Sequence, residues 1–351
     1  MSPTPMHWTL AAPFIHASSD RWLTDFVSNA ANDLSFDAVP ADYHHDRSRK
    51  ITGIDAWRDY ARHGNATWRA AQAATGAGPG TGRRGIITCF PQLAITVGLR
   101  KRLARSDIPL VAWTFNLGKV YPGARRLLAR TALPAVNRFI VHSRSEISAY
   151  SEWLQLPPER FTFVPLQRAT SPITLQEDLD QPFLLSMGSA QRDYRLLFRV
   201  LGELGYPAVV VAGPHAVAGL VVPPNVELRS GLTADECFAL VQRARLSVIP
   251  VANQDTASGQ VTLLDAMMYA RAAIITACPA SVDYVVDGVD ALLVRHGDHD
   301  DMKRAIQRLW EDEALRAFVG ASARSASIER FSDEAIGQIL GSVLREVAAT
   351  R

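Results

Sequence analysis

The chain has few cysteines, few lysines and no long apolar run. Its three cysteines, Cys89, Cys237 and Cys278, are far apart and odd in number, so they form neither a disulfide framework nor a zinc-ligand pattern. A reducing cytoplasm is the expected setting. The most apolar stretch, Tyr206 to Pro224, is broken by Gly213-Pro214-His215 and Gly219, which reads as two short strands and a turn and excludes a bilayer span. Met1 to Asp20 lacks the charged and apolar regions of a secretion signal. No internal repeat of fixed period is present, which excludes a solenoid.

What is present is enough apolar matter for two cores. The 351 residues are 48% hydrophobic and 21% charged, a composition suited to two ordinary domains. Net charge is only +2, yet 14 basic residues and a single acid, Asp107, lie between Ala61 and Ser145. Such a field attracts anions. The clusters Arg100-Lys101-Arg102 and Arg125-Arg126, with Leu and Trp nearby, suit an anionic membrane surface or a phosphorylated acceptor. Solvated helix faces are the plain alternative. No nucleic-acid motif accompanies the charge, so nucleic acid is not an expected partner.

Short apolar runs alternating with helical patterns predict parallel sheets with crossover helices. In the first half, strands are expected at Trp8 to Pro13, Gly85 to Phe90, Pro109 to Phe115, Arg138 to His142 and Phe161 to Pro165. In the second they are expected at Phe183 to Met187, Ala208 to Ala212, Val226 to Arg229, Leu246 to Val251, Ala273 to Thr276 and Ala291 to Val294. Thr233, with Glu236 three residues later, forms a capping box that opens a helix over Ala234 to Arg243. The Gly- and Pro-containing stretch Thr75 to Gly85 is a loop within the first domain. The expected fold class is α/β: two Rossmann-like domains, 1–170 and 171–331, and a final helix in 332–351. A linker is expected near Arg168 to Gln181.

Ser258-Gly259-Gln260-Val261-Thr262-Leu263-Leu264-Asp265-Ala266-Met267 follows the strand at Leu246 to Val251. A strand that turns at Ser-Gly into a helix aims backbone N–H groups and a positive dipole end at one spot, which suits a diphosphate. Asp265 then stands to accept hydrogen bonds from hydroxyls of the same ligand. An ordinary βα unit with a solvated Asp265 is the alternative. Upstream, a strand ends at Gly188 and is followed by Arg192 and Asp193. Glycine permits close backbone approach, and the arginine fork meets phosphate oxygens. The two blocks fit one ligand.

With Tyr284 to Val294, these blocks resemble the second half of a family 4 retaining glycosyltransferase. Asn137 to Ser143, Glu146 and Leu156 to Pro165 resemble the end of that family's acceptor domain, so the resemblance covers roughly Ile86 to Phe331. It implies a GT-B fold, in which two domains face a central cleft and the last helix returns to the first domain. It implies a sugar donor linked to a nucleotide diphosphate, UDP favoured, and no cofactor or metal. Asp265 aligns with the acid that binds ribose, and Arg192 with the basic residue that neutralises the leaving diphosphate. Gly188, Asp193, Ser258, Gly259, Gln260, Val261 and Thr262 are the other donor-binding candidates. The first family acid falls at Ala257, and Arg271-Ala272-Ala273 replaces the usual Gly-Lys-Pro. Asp255, Ser258 and Gln260 are substitute contacts for the sugar. His142 is the family-like histidine and a catalytic candidate, and His16, Trp113 and Asn116 are acceptor-side candidates.

Two alternatives stay open and a third is disfavoured. A GT-B-like epimerase would need acids around the sugar and no acceptor. A catalytically degenerate binding or scaffold subunit would fit Ala257 and the missing Lys after Arg192. A pyridoxal-dependent phosphorylase is disfavoured, because none of Lys50, Lys101, Lys119 and Lys303 sits in a matching motif. The basic first domain points to a saccharide or lipid-linked acceptor, in surface polysaccharide or glycoconjugate synthesis, and to peripheral contact with the inner face of a membrane.

Overall fold

The alternation of apolar runs and helices folds into two parallel sheets. The computed structural model describes residues 5–28, 33–44, 53–74, 83–118, 120, 122–253 and 257–350. Two units result: one runs to Val164 and resumes at Ile336, and the other is Pro165–Ala335. The changeover thus falls at Val164 rather than at Thr170, because β6 is the last element of the first sheet.

The first sheet holds β1 Met6–Ala11, β2 Leu34–Val39, β3 Arg83–Cys89, β4 Leu110–Trp113, β5 Arg138–Val141 and β6 Phe161–Phe163. Their order is β2-β1-β3-β4-β5-β6, with parallel pairing throughout. Successive residues point to opposite faces. Ile87, Val111, Trp113 and Ile140 therefore pack on one side with Ile336, Leu340 and Leu344 of the last helix. Ile86, Leu110, Ala112 and Phe139 pack on the other with the helices Gly53–Ala73, Pro91–Leu103 and Ala124–Ala132. β2 is absent from the expectation. It is an edge strand paired to β1 alone, and its polar alternation, Leu34-Ser35-Phe36-Asp37, carries too little apolar signal.

The last helix, Asp333–Ala349, docks on this first unit. Gln338 donates to the Phe26 carbonyl at 2.6 Å, and Arg345 grips Asp33 with contacts of 2.7 and 3.0 Å. A side chain on Gly337 would put its Cβ 2.6 Å from Phe26 Cβ and 3.0 Å from the Leu23 carbonyl. Glycine there is what lets the helix lie this close.

The second sheet holds β7 Leu184–Met187, β8 Ala208–Val211, β9 Val226–Arg229, β10 Leu246–Ile249, β11 Ala273–Thr276 and β12 Leu292–Val294. Its order is β12-β11-β10-β7-β8-β9, again parallel. Tyr206 to Pro224 contains one strand, β8, and then a one-turn helix, Pro214–Val217, instead of two strands. Pro214 lacks the N–H that a ladder needs and suits a helix start. The helix Ala234–Arg243 opens as expected: Thr233 N–H donates to Glu236 Oε2 at 2.7 Å, and Glu236 N–H to Thr233 Oγ1 at 3.3 Å. Among the described residues no helix is long and apolar enough to cross a membrane.

Replacing Gly337 with Val is expected to cost about 1–3 kcal/mol by overpacking, read as a lower melting temperature. An unchanged melt would show that the last helix is loosely held.

Candidate functional site

In an open parallel sheet, a crevice forms where the strand order reverses, at the carboxyl ends of the two strands that meet there. In the second sheet those strands are β7 and β10. The chain leaving β7 passes through Gly188 (φ +111°) and Gln191 (φ +55°) before the helix Tyr194–Leu204. Two backbone hydrogen bonds tie this loop to the chain leaving β10: Asp193 N–H to the Pro250 carbonyl at 2.9 Å, and Ala252 N–H to the Gln191 carbonyl at 3.0 Å. Asp193 itself caps the helix, accepting from Leu196 N–H at 3.0 Å. That is where the structure places this donor-binding candidate.

Arg192 is fixed by these turns. Its Nε donates to the Met187 carbonyl at 3.1 Å and its Nη1 to the Ala190 carbonyl at 2.9 Å. Nη1 also donates to Ser258 Oγ at 3.1 Å, and Nη2 to Thr262 Oγ1 at 3.2 Å. None of these four partners is charged. Burial pushes its pKa down from the usual arginine range, yet a guanidinium keeps its proton. The result is an oriented cation with unspent charge at a helix start. Gly188 makes room for it, since a Cβ there would lie 2.7 Å from Arg192 Nη2.

The helix Gln260–Met268 begins at Gly259 (φ +91°), and no described side chain caps it. A Cβ on Gly259 would meet Ile249 Cγ2 at 2.9 Å, so glycine serves both the left-handed turn and the approach to β10. The first intrahelical bond is Leu263 N–H to the Gly259 carbonyl, 2.9 Å. The preceding N–H groups, at Val261 and Thr262, point out of the helix start, an arrangement that receives anions. Ser258, Gly259 and Gln260 are buried, whereas the Val261 side chain is 55% exposed, so only the backbone of Val261 can serve.

Asp265 lies one turn beyond Thr262 and is 6% exposed. With Thr262, Gly188, Ser189, Gly213, Gly231, Phe238 and Arg168 it lines a cavity of about 390 Å³, within the size range of small-molecule sites. Burial pushes its carboxyl up to about 6, against the pull of Arg168, whose Nε lies 2.5 Å from Asp265 Oδ1. A larger cavity, about 800 Å³, lies at the other edge of this sheet, at the starts of β7, β8 and β9. It mixes Asp178, Asp180 and Glu227 with Arg229 and Arg243. Ligands of open α/β sheets bind at the carboxyl ends, so the smaller cavity is the candidate.

Residues 191–312 match the family described as glycosyl transferases group 1. The matched stretch lies within the second unit. No curated protein matches the chain by sequence. Among solved structures, it resembles sucrose-phosphate synthase from Thermosynechococcus elongatus at 16% identity and TM-score 0.72, over 99% of this chain and 100% of that one. It also resembles a glycosyltransferase from Rickettsia africae at 9% identity and TM-score 0.67, over 99% and 100% of the two chains. A third is Anabaena HepE in complex with UDP-glucose, at 12% identity and TM-score 0.66, over 97% and 99%. At such identities the likeness speaks for the fold, which is GT-B.

The remaining candidates lie in the first unit. His142, at the end of β5, is 2% exposed, and its Nδ1 sits 2.7 Å from the Val164 carbonyl. Burial pushes its pKa to about 4, so it is neutral and placed as a packing group. His16 is exposed in the loop after β1, its Nδ1 3.2 Å from the Ala41 carbonyl. Trp113 is fully buried, edge-on to Trp22 at 6.1 Å. Asn116 accepts from Gly118 N–H at 2.7 Å, a turn contact. Lys101 turns inward to the Ala135 carbonyl and Asn137 Oδ1, both at 2.8 Å, and so does not join the surface cluster expected of it. Asp255, Lys50, Lys119 and most of the Thr75 to Gly85 loop lie outside the described residues. The sequence reading missed Arg168 and Phe238 as cavity residues, because neither sits in a motif and both arrive through tertiary contacts.

Gly188→Ala is expected to displace the Arg192 guanidinium and weaken inorganic pyrophosphate binding as much as Arg192→Gln does. It should also destabilise the fold by about 1–3 kcal/mol through backbone strain. Isothermal titration beside a thermal melt checks both. Undiminished binding would show that Arg192 does not meet the anion.

Proposed function

We propose that the chain is a retaining, metal-independent glycosyltransferase that moves a sugar from a nucleotide diphosphate, UDP favoured, to a saccharide or lipid-linked acceptor. The observation that carries this reading is Arg192, a cation held by neutral groups beside a helix start that no described side chain caps. The UDP-glucose bound by HepE supports the choice of nucleotide. Retention rests on the family 4 resemblance.

In this reading the diphosphate sits against the Val261 and Thr262 N–H groups and Arg192, and the ribose hydroxyls donate to Asp265. The bond from the anomeric carbon to the phosphate oxygen breaks, and the acceptor hydroxyl oxygen bonds that carbon on the same face. The hydroxyl proton passes to the leaving phosphate oxygen, so no protein base is required. Negative charge grows on the leaving group as the bond breaks, and groups already aimed at it stabilise the transition state more than the ground state. Ser258 and Gln260 take over donor-sugar contacts from the acid that Ala257 replaces. His16 is the acceptor-side histidine of this reading, and His142 packs the end of β5 against the Val164 carbonyl.

A lipid-linked acceptor, met at a membrane surface in polysaccharide or glycoconjugate synthesis, fits the basic first unit. The helices Pro91–Leu103 and Ala124–Ala132 expose Leu103 (70%) and Leu127 (71%) beside Arg102 and Arg125, a pairing of apolar and cationic groups that suits anionic headgroups.

The direct test is transfer from UDP-sugars to a saccharide panel in a metal chelator, with the product anomer read by NMR. Retained configuration is expected. A charge-assisted hydrogen bond is worth about 1.5–3 kcal/mol, so Arg192→Gln should lower kcat about ten- to a hundredfold. Inversion, or loss of activity in chelator, refutes the mechanism, and donor binding without transfer favours a fold-retaining scaffold, as Ala257 would suit. Vesicle co-sedimentation tests the membrane contact: binding to anionic vesicles is expected, and equal binding to neutral ones, or none, removes it.

A further inference from the structure

The donor cavity holds a second cation, Arg168, to which the chemistry above assigns no task. Its backbone is pinned where the chain enters the second unit: Arg168 N–H donates to the Phe331 carbonyl at 2.7 Å, and the residue bridges in parallel to Ser332, close to where the chain leaves. From there the side chain reaches into the cavity. Its Nε lies 2.5 Å from Asp265 Oδ1, and its guanidinium carbon 5.1 Å from the centre of the Phe238 ring. The Arg168 side chain is 32% exposed and that of Asp265 only 9%. The pair is therefore a buried acid covered by a cation on its open side, unlike a mobile surface ion pair, which contributes little.

Hydroxyls of a ribose donate well to a carboxylate and poorly to a carboxylic acid, whose own proton occupies one oxygen. Burial disfavours the ionised form, so a buried ribose-binding acid needs a partner that keeps it charged. We infer that Arg168 is the positioning residue of the ribose site: its guanidinium holds the Asp265 carboxylate ionised and turned so that it accepts both vicinal hydroxyls of a ribonucleotide. The inference rests on the donor-site reading above and adds to it a residue outside both sequence blocks. It also gives the Phe238 ring a role, as the surface that keeps the guanidinium plane in place.

The groups facing Asp265 are Arg168 from the entering segment and the Cys237 thiol from the helix Ala234–Arg243. Asp333 faces the same guanidinium beside Glu334. Burial pushes Asp265 up and Arg168 draws it back. Without the arginine its protonation moves to higher pH, and ribonucleotide binding, which needs the ionised form, fails earlier as pH falls.

The test is titration of UDP and of 2′-deoxy-UDP into the wild type, Arg168→Gln, Arg168→Lys and Asp265→Ala, in chelator, from about pH 5 to about pH 8. Arg168→Gln should weaken UDP binding about tenfold near pH 5 and only about twofold near pH 7, as a one-unit upward shift of Asp265 would give. It should weaken 2′-deoxy-UDP less, since that nucleotide keeps only the 3′ hydroxyl to donate, and move the half-loss of UDP binding to higher pH. Arg168→Lys should restore most of the affinity, and its pH profile carries the test if the glutamine variant does not fold. UDP binding by Arg168→Gln that equals or exceeds the wild type's overturns the inference, the latter showing that the guanidinium obstructs the ribose. So does an equal loss for both nucleotides. If Asp265→Ala weakens UDP and Arg168→Gln does not, the Arg168 inference alone falls. If the wild type binds no nucleotide, or Asp265→Ala binds UDP as the wild type does, the donor-site reading falls too.

Discussion

A cation held only by neutral groups is costly unless something else claims its charge, and Arg192 is the constraint around which the second unit is arranged. Two backbone carbonyls and two hydroxyls fix its fork, and no described carboxylate pairs with it. Keeping it there requires a glycine at 188, since any side chain would collide with it. It requires the loop after β7 to be stitched to the chain after β10. It also requires Thr262 on the first turn, and Ser258 just ahead, of a helix that starts at a left-handed glycine. These features belong to the crevice that a reversal of strand order creates, so fold and site have one geometric origin.

Asp265 illustrates the opposite problem, a negative charge where burial opposes it. Its elevated pKa records a cost in the ionised state that the fold bears near neutral pH. Such costs collect where a site must present charge to a ligand. Arg168 offsets part of this one, and it comes from the segment where the chain passes into the second unit. The two cations thus differ in kind. Arg192 is held by neutral groups alone, whereas Arg168 is paired with a carboxylate.

The strands of the second sheet were legible almost residue by residue, because fully buried parallel strands are written as unbroken apolar runs such as Ala273-Ile274-Ile275-Thr276. The capping box at Thr233 was legible for a similar reason: its chemistry is local. β2 was not, since an edge strand shares its polar alternation with many loops. Of the candidate site, Gly188, Arg192, Ser258, Gly259, Thr262 and Asp265 were legible as candidates because each βα turn carries its own group, and the fold brings them to one crevice. Trp113 and His142 were misleading. Both stand at strand ends, where ligand contacts and core packing leave the same trace in a sequence, and burial assigns them to packing.

The sequence by itself determined the two parallel sheets, their helices and the two glycine-bearing βα turns, because these depend on periodicity, glycine and helix-start chemistry within a few residues. Only the tertiary structure decided that those turns meet at β7 and β10, that Lys101 faces inward, and that Arg168 stands against Asp265. Those outcomes depend on which strands become neighbours and on which side chains a shared cavity brings together. Separation along the chain, about a hundred residues between Arg168 and Asp265, puts such contacts beyond any local pattern.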